Sequence, residues 1–450
     1  MVSPSAPLPR SPAVWLLPFF AHVSSLAVRT FYRLTVAGKQ VPPAGPVLIV
    51  ANHPNSLVDP AAVAAVAGRP VRFLAKAPLF TDPAVGWLVR GSGAIPVYRH
   101  ADNPAEVGRN EDTFRAVHQA LADGAAVGIF PEGVSHSEPS LVPLKTGAAR
   151  IALGAAAILG GSFPVVAVGL TFRKKQQFRS EALVMVGKPV EWDDLAARGM
   201  DDREAVDQLT ERIDRALHRV TLNLERWEDQ PLVETAEAVY AAEFPVEASP
   251  AARVARLRET ADGLARLRSE ERGGWEQVAS AVSSHARALR VLRMTPVELK
   301  ASVGKVEAGK WVARQLGVLR ALIPIAIVGI IIFYIPYRAT GFAEARARPP
   351  QDIRATFKTL VGTVLHAVWT IVLAVAVWWR WGWKYGLAAL VLLPILAWVT
   401  LWTVDMWNRA RGEARRFYLR ARRAEAIEDL RIRQRALAER LAALWETVKA

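Results

Sequence analysis

The chain has 450 residues and a mass of 49.2 kDa, which is enough for two or three structural units. Hydrophobic residues make up 52% of it, which excludes an intrinsically disordered chain, and the absence of cysteine excludes disulfide bonds and a cysteine nucleophile. A net charge of +15 indicates a polyanionic neighbour: nucleic acid, an anionic membrane surface or phosphorylated substrates. Many of the 15 Trp lie beside apolar runs, which favours the membrane among these three.

The first apolar segment comprises residues 13–28. It contains Pro18 and His22 and is too short to span a membrane comfortably. With Arg10 before it and small residues after it, the segment also has features of a secretory signal peptide. We predict a membrane-associated helix within residues 1–35 that is embedded in lipid or packed on the core, because the next segment is typical of cytosolic chemistry.

Residues 36–200 alternate short buried strand patterns with helical patterns. This alternation is typical of an α/β layer fold. We therefore predict an α/β domain with a mixed, largely parallel sheet flanked by helices. The predicted strands are Val47–Ala51, Val71–Ala75, Ala125–Phe130, Pro164–Phe172 and Ala182–Gly187, and the predicted helices are Glu111–Ala122 and Lys145–Leu159.

The rest of the chain predicts helices and a membrane region. Residues 201–315 are polar and helical in period, which predicts a helical extension. Within residues 316–405, Val361–Trp379 and Gly386–Val404 are long enough to span and are joined by a Trp-rich turn, which predicts a transmembrane hairpin with an aromatic belt. Ala321–Tyr337 contains two prolines and is shorter, so we predict a re-entrant or shallow helix there.

The charges of the flanking segments favour two membrane crossings. Five basic residues against two acidic ones separate the first apolar stretch from the second, and residues 409–450 carry 12 basic and 6 acidic residues. If both flanks follow the positive-inside rule, the hairpin crosses and the first stretch does not. We predict that residues 406–450 form a basic amphipathic helix on anionic lipid. Such a helix can also bind nucleic-acid phosphates, but its position directly after a span favours lipid.

The first candidate for chemistry follows the strand Val47–Ala51. His53 lies just past the strand, and Asp59 follows six positions later. A histidine beside a carboxylate is typical of a general base oriented by its partner. Six positions is not a same-face helical spacing, so the pair can meet only across a turn, for which Pro54–Ser56 supplies suitable residues. Alternatively, Asp59 only caps the helix that begins at Pro60, and His53 is an ordinary loop residue.

Two further segments carry candidate anion-binding groups. Arg99 ends a glycine-led apolar segment, and arginine can bind a phosphate through two hydrogen bonds. Phe130–Ser137 directly follows a predicted buried strand, where α/β folds assemble their sites, and it presents the carboxylate of Glu132. Lys145 precedes the next helix, whose N-terminus attracts anions. Taken singly, Arg99 and Lys145 are equally compatible with ordinary surface residues.

In this order, the segments resemble the hallmark blocks of the glycerophospholipid (PlsC-type) acyltransferase superfamily over about residues 40–190. The matching blocks are His53/Asp59, Gly93–Arg99, Phe130–Gly133 and Pro164–Gly169. The five residues between His and Asp, and the string Glu-Gly-Val-Ser-His, are more similar to the fungal-type glycerol-3-phosphate/dihydroxyacetone-phosphate acyltransferases. That string lacks the arginine common in bacterial lysophosphatidate acyltransferases, which leaves the usual phosphate contact open.

The resemblance implies transfer of a fatty acyl group from acyl-CoA or acyl-carrier protein to a hydroxyl of glycerol-3-phosphate, a step of phosphatidic acid and phospholipid biosynthesis. It implies His53 as the general base and Asp59 as the group that fixes its tautomer. The residues implied to bind the acceptor are Arg99, Glu132, Gly133, Ser135 and Lys145. We expect Glu132 to accept from a hydroxyl or to orient Arg99, because a carboxylate repels phosphate.

The resemblance implies no metal or other cofactor besides the acyl donor as co-substrate. The expected partners are membrane lipids, the acyl donor and the glycerophosphate acceptor, with acyl-carrier protein as one form of the donor and no nucleic acid. The expected location is the bacterial inner membrane, with the catalytic domain on the cytoplasmic side. Two alternatives stay open: acylation of 1-acylglycerol-3-phosphate (lysophosphatidate) or another lysophospholipid, and a catalytically inactive membrane adaptor.

Overall fold

The computed structural model describes residues 17–83, 85–99, 108–269, 275–300, 305–351, 353–422 and 424–449. It divides into two compact units. The first unit comprises Met1–Asn223, Ala248–Ala255 and Pro350–Thr359, and the second comprises Leu224–Glu247, Arg256–Pro349 and Leu360–Ala450.

A sheet forms the centre of the first unit. Its strands are β1 (Tyr32–Gly38), β2 (Val47–Ala51), β3 (Val71–Lys76), β4 (Ile95–Val97), β5 (Ala126–Ile129), β6 (Val165–Phe172) and β7 (Ser180–Pro189). They lie in the order β1-β7-β6-β2-β5-β3-β4. Only the β6–β7 pair is antiparallel among the paired strands that the structure describes. The predicted mixed, largely parallel sheet is therefore confirmed.

Helices cover both faces of this sheet. They are α1 (Leu17–Phe31), α2 (Val58–Ala67), α3 (Gly86–Gly91), α4 (Asn110–Ala122), α5 (Gly147–Leu159) and α6 (Arg203–Val220). Alternate residues of β2 point to opposite faces. Leu48 and Val50 pack with α4, α5 and α6, whereas Val47 and Ile49 pack with α1 and α2. Burial on both faces explains why β2 is a continuous apolar run, and it makes β2 a rigid base for the turn that follows.

The five predicted strands are all present, with ends shifted by at most one residue except at β7, which extends two residues further at each end. The strands β1 and β4 are additional. β1 is an edge strand whose side chains are mostly exposed, so it lacks the apolar run that marks a buried strand. β4 has three residues, one of them Pro96, and is too short to leave a pattern. The N-terminal prediction corresponds to α1, and residues 13–16 of that segment lie outside the described residues.

Most of the remaining chain is helical. The helices are α7 (Gln230–Glu243), α8 (Pro250–Ser269), α9 (Trp275–Leu292), α10 (Pro296–Lys300), α11 (Lys305–Ala347), α12 (Arg354–Trp381), α13 (Trp383–Arg422) and α14 (Ala424–Lys449). α8 and α12 each begin in the first unit. Three segments, Gly317–Ala347, Arg354–Trp381 and Trp383–Arg415, are long and apolar enough to cross a membrane. These three long apolar helices indicate that the protein associates with a membrane.

The first of these helices is longer than the apolar stretch in the sequence. We expected a short re-entrant or shallow segment at Ala321–Tyr337, but α11 runs as one helix through both Pro324 and Pro336. Prolines are tolerated in apolar helices because neighbouring helices and side chains satisfy the freed backbone groups. The number of crossings stays a prediction.

The C-terminal segment is helical, and some of its apolar side chains are covered by protein. We expect residues 406–450 to form a basic amphipathic helix on anionic lipid, and its contact with lipid stays a prediction. Ile427 and Leu430 of α14 pack against Leu289 of α9 and Leu299 of α10, in a core of the second unit. The spacing of hydrophobic residues identifies an apolar helix face but does not show whether lipid or protein packs against it. At Ile427 and Leu430, protein packs against this face.

Candidate active site

The turn after β2 brings His53 and Asp59 together. His53 Nδ1 lies 2.8 Å from Asp59 Oδ2. Ser56 has a φ of 49°, in the left-handed region. The N–H groups of Val58 and Asp59 donate to the carbonyls of Asn55 and Ser56, each at 3.1 Å. This tight turn explains how a carboxylate six positions along the chain reaches the imidazole.

The carboxylate is buried and the imidazole is partly accessible. The Asp59 side chain is 0% exposed and that of His53 is 19% exposed. Burial raises the pKa of Asp59, and hydrogen bonds from His53 and from the Asn55 N–H oppose that rise. Because Nδ1 of His53 donates to Asp59 Oδ2, Nε2 keeps the lone pair that a general base requires.

Aromatic rings fix the plane of the His53 imidazole. His53 stacks on Phe130 at the end of β5, with ring centroids 4.0 Å apart and planes 12° apart. Phe130 in turn stacks on Phe73 of β3, with centroids 5.8 Å apart. The imidazole is therefore held by a hydrogen bond at one edge and by an aromatic face, which limits its rotation.

Glu132 holds the turn rather than orienting Arg99. Its Oε1 accepts from the backbone N–H of His53 at 2.7 Å. Its Oε2 accepts from the N–H of Val142 at 3.1 Å and from Nε2 of His136. These bonds satisfy both carboxylate oxygens of a residue that is 1% exposed. The expectation that Glu132 orients Arg99 does not match its contacts in the structure.

Gly133 collects two cationic side chains. Arg99 Nη1 donates to the Gly133 carbonyl at 2.8 Å. Gly133 has a φ of +73°, and a Cβ atom added there would lie 2.9 Å from Cδ and Cε of Lys145. The Lys145 backbone N–H donates to the carbonyl of Pro131 at 2.8 Å. A glycine at position 133 thus allows a left-handed turn and the close approach of the Lys145 side chain. Arg99 and Lys145 therefore both contact Gly133.

Ser135 also contacts the turn between His53 and Asp59. Its Oγ accepts from the backbone N–H of Ser56 at 3.0 Å. Ser56 has a left-handed backbone conformation, which is unfavourable for a residue other than glycine. The hydrogen bond to Ser135 helps to hold Ser56 in that conformation. Of the residues implied to bind the acceptor, Glu132 and Ser135 therefore contact the His53–Asp59 turn, and Arg99 and Lys145 contact Gly133.

Three residues of this arrangement were missed in the sequence. The His136 ring pairs with Glu132 through Nε2, and the backbone N–H of His136 donates to the backbone carbonyl of His53 at 3.1 Å. Asn55 is fully buried and donates through Nδ2 to the hydroxyl of Tyr32 at 3.0 Å. Burial raises the pKa of Tyr32, so its phenol stays neutral. His136 and Asn55 stand inside the quoted motifs, but their partners are distant in sequence.

The site offers cations rather than metal ligands. Arg99 and Lys145 supply positive charge at Gly133, which suits a phosphate group. Over the described ranges, no group of three or more His, Asp and Glu side chains is arranged to hold a metal ion.

Known proteins are similar to part of the first unit. A family model named Acyltransferase matches residues 33–171. Over 134 residues the chain is 37% identical to glycerol-3-phosphate O-acyltransferase 2 of Saccharomyces cerevisiae, covering 29% of this chain and 18% of that protein. Over 283 residues it is 27% identical to glycerol-3-phosphate O-acyltransferase 1 of the same yeast, and this match covers 58% of this chain and 37% of the yeast protein.

A plant relative matches the same kind of domain. Over 131 residues the chain is 29% identical to the chloroplastic 1-acyl-sn-glycerol-3-phosphate acyltransferase BAT2 of Brassica napus, covering 29% of this chain and 36% of that protein. The matched parts span only 18% to 37% of the length of these three relatives. All the predicted site residues lie within residues 33–171. The chain therefore contains, over residues 33–171, an acyltransferase domain of the glycerophospholipid (PlsC-type) superfamily.

Proposed function

We propose that this chain is a glycerol-3-phosphate O-acyltransferase that acts at a membrane. The observation that carries the proposal is the 2.8 Å contact between His53 Nδ1 and Asp59 Oδ2, because it leaves Nε2 as a base on a rigid, partly accessible ring. The similarity to two yeast glycerol-3-phosphate O-acyltransferases supports this acceptor.

The mechanism follows from this geometry. His53 Nε2 takes the proton of the glycerol hydroxyl as its oxygen attacks the thioester carbonyl. Asp59 holds the ring and stabilises the imidazolium that forms. When the tetrahedral intermediate collapses, the carbon–sulfur bond breaks, and the imidazolium returns its proton to the leaving thiolate. The products are an acylated glycerophosphate and a free thiol, and the enzyme is not acylated.

The substrates are held by polar and cationic side chains. Arg99 and Lys145, which meet at Gly133, bind anionic phosphate. Glu132 and Ser135 act by holding the catalytic turn around the acceptor hydroxyl. The acyl donor is acyl-CoA or acyl-carrier protein, and the chemistry needs no further cofactor. The long apolar helices keep the enzyme beside its acyl chains and its product, at the cytoplasmic face of a bacterial inner membrane.

A second acceptor is the main alternative. The 29% identity to a plant 1-acyl-sn-glycerol-3-phosphate acyltransferase favours lysophosphatidate as a candidate, since both acceptors present a hydroxyl and a phosphate on glycerol. An inactive adaptor is the weaker alternative, because His53 and Asp59 are both present and in contact.

An acceptor panel tests the proposal. Membranes containing the chain are incubated with radiolabelled acyl-CoA, or acyl-carrier protein, and with glycerol-3-phosphate, lysophosphatidate or lysophosphatidylcholine. We expect 1-acylglycerol-3-phosphate to be the main first product, identified by mass. Acylation of lysophosphatidate alone would select the alternative acceptor, and the absence of any acyl transfer would favour the adaptor.

A further inference from the structure

A lysine outside the residues that the family model matches contacts the segment that packs on the His53–Asp59 turn. Lys175 stands in the loop between β6 and β7, and its Nζ lies 3.4 Å from Ser137 Oγ. Ser137 follows His136, whose N–H donates to the carbonyl of His53. Burial chiefly governs the raised pKa of Asp59, and the nearby positive charge of Lys175 acts in the opposite direction. Through Ser137, the ammonium group contacts the segment whose next residue towards the N-terminus, His136, is hydrogen-bonded to His53.

Buried hydrogen bonds fix the backbone of this lysine relative to the catalytic turn. The hydroxyl of Tyr32 donates to the carbonyl of Lys175 and accepts from Nδ2 of Asn55. Tyr32 and Asn55 are both 0% exposed. Because Asn55 belongs to the turn between His53 and Asp59, the lysine loop and the catalytic turn form one hydrogen-bonded frame.

The first residues of α12 close this frame from a distant part of the sequence. Arg354 Nη1 donates to Gln176 Oε1 at 3.0 Å, and Lys358 Nζ donates to the carbonyl of Gln176 at 3.1 Å. Thr356 Oγ1 donates to the carbonyl of Asn55 at 3.3 Å. All of these residues belong to the first unit. The two groups of Gln176 that accept these hydrogen bonds are uncharged. The cationic side chains of Arg354 and Lys358 thus lie beside Gln176, the residue that follows Lys175.

We propose that Lys175 binds the phosphate group of the glycerophosphate acceptor. This inference rests on the proposed function and adds a substrate-binding residue to it. The acceptor hydroxyl must lie within hydrogen-bond reach of His53 Nε2, and its phosphate is attached to the same three-carbon backbone. A cation that binds this phosphate must therefore lie close to the catalytic pair.

The acyl donor does not require a phosphate-binding cation near the catalytic pair. In acyl-CoA and acyl-carrier protein, the pantetheine arm separates the phosphates from the thioester that reacts. The chain contains no arginine between Glu132 and Lys145, so that loop does not itself supply a bidentate phosphate ligand. Lys175 Nζ lies 3.4 Å from Ser137 Oγ, and we place the acceptor phosphate against this ammonium group.

Steady-state kinetics on Lys175→Met tests the inference. The full-length protein is assayed in vesicles of phosphatidylcholine, with the acceptor that the wild type uses. Loss of a charged hydrogen bond predicts a rise in the KM for the acceptor of about ten-fold or more, with the KM for acyl-CoA unchanged. Lys175→Arg keeps the charge and should recover most of the affinity. Lys174→Met removes a neighbouring exposed lysine and should behave as wild type.

Inorganic phosphate serves as a second probe. It should compete with the acceptor in the wild type and inhibit Lys175→Met more weakly. An unchanged acceptor KM in Lys175→Met, or a rise in the donor KM instead, would overturn the inference while leaving the proposed function intact. A defect that appears only in vesicles containing anionic lipid would assign Lys175 to a lipid headgroup and equally overturn it. A wild type that acylates no glycerophosphate would overturn the proposed function and this inference with it.

Discussion

At the scale of single residues, the site pairs a buried carboxyl group with a partly accessible imidazole. Asp59 has no exposed surface, and its pKa is raised because burial disfavours the carboxylate. In the proposed mechanism, the charge of this carboxylate stabilises the His53 imidazolium.

Asp59→Asn should separate stability from activity. Above the folded-state pKa of Asp59, the native protein holds a buried charge that the unfolded chain exposes to water, so asparagine should raise the unfolding temperature by a few degrees at pH 8. The gain should shrink as the pH falls through the raised pKa towards about 4, the ordinary value for aspartate. Acyl transfer should fall by about 10²–10⁴-fold.

The measurement is thermal unfolding in detergent between pH 5 and pH 8, alongside an activity assay. Asp112→Asn is the matched control, because Asp112 is partly exposed in a surface ion pair with Arg115 and should change neither quantity. A lower unfolding temperature for Asp59→Asn at pH 8 would contradict this interpretation of the buried carboxylate.

His136 is a positioning residue whose tautomer follows from its contacts. The N–H of Glu138 donates to Nδ1 of His136 at 3.1 Å, so the ring proton is on Nε2, where it is donated to Glu132. His136→Ala should lower kcat by about ten-fold and change KM little, because Glu132 then holds the His53 backbone less firmly. Glutamine offers an amide N–H near the Nε2 position, so His136→Gln should retain most of the activity. An equal loss of activity in His136→Ala and His136→Gln would show that the hydrogen bond to Glu132 does not support catalysis.

At the scale of elements, the sequence predicts the parts whose cause is local. The apolar run Val47–Ala51 predicts a buried strand, and it is one. The His53–Asp59 contact is also predictable, because turn residues separate two groups of suitable chemistry. The partners of Glu132 are not predictable, since they depend on which loops the sheet order β2-β5 brings together. The cover over α14 likewise depends on tertiary packing.

The packing of α6 on the sheet makes Gly169 of β6 sensitive. A Cβ atom added to Gly169 would lie 1.9 Å from the carbonyl oxygen of Val220, a backbone atom that cannot rotate away. Gly169→Ala should therefore destabilise the domain by about 1–3 kcal/mol, measured as a lower unfolding temperature. Gly147→Ala is the control, because nothing lies within 4 Å of its added Cβ and its stability should not fall. Equal stability of both variants would contradict the close contact.

At the scale of the whole molecule, one helix contacts the His53–Asp59 turn and also provides a candidate membrane span. α12 begins with residues that contact the catalytic turn and continues as an apolar segment long enough to span a membrane. Pro350–Thr359 thus belongs to the first unit, although it is distant in sequence from the rest of that unit. No local pattern in the sequence marks this segment as part of the catalytic unit.

Single cysteines at the two ends of α12 test whether it crosses. The chain has no native cysteine, so Gln351→Cys and Trp383→Cys each introduce one reactive thiol. If α12 spans once, an impermeant thiol reagent should label Trp383→Cys in intact bacterial cells and Gln351→Cys only after permeabilisation. Labelling of both from the same side would show that α12 does not cross.

The proposed mechanism depends most on His53 as the base that removes the hydroxyl proton. The direct measurement is the rate of acyl transfer to glycerol-3-phosphate by purified wild type and His53→Ala, at equal concentration and with equal unfolding temperatures. We predict that the variant loses about 10²–10⁴-fold in rate while remaining folded in the membrane. A folded variant that retains more than about a tenth of the wild-type rate would contradict the mechanism, since loss of a general base costs far more than that.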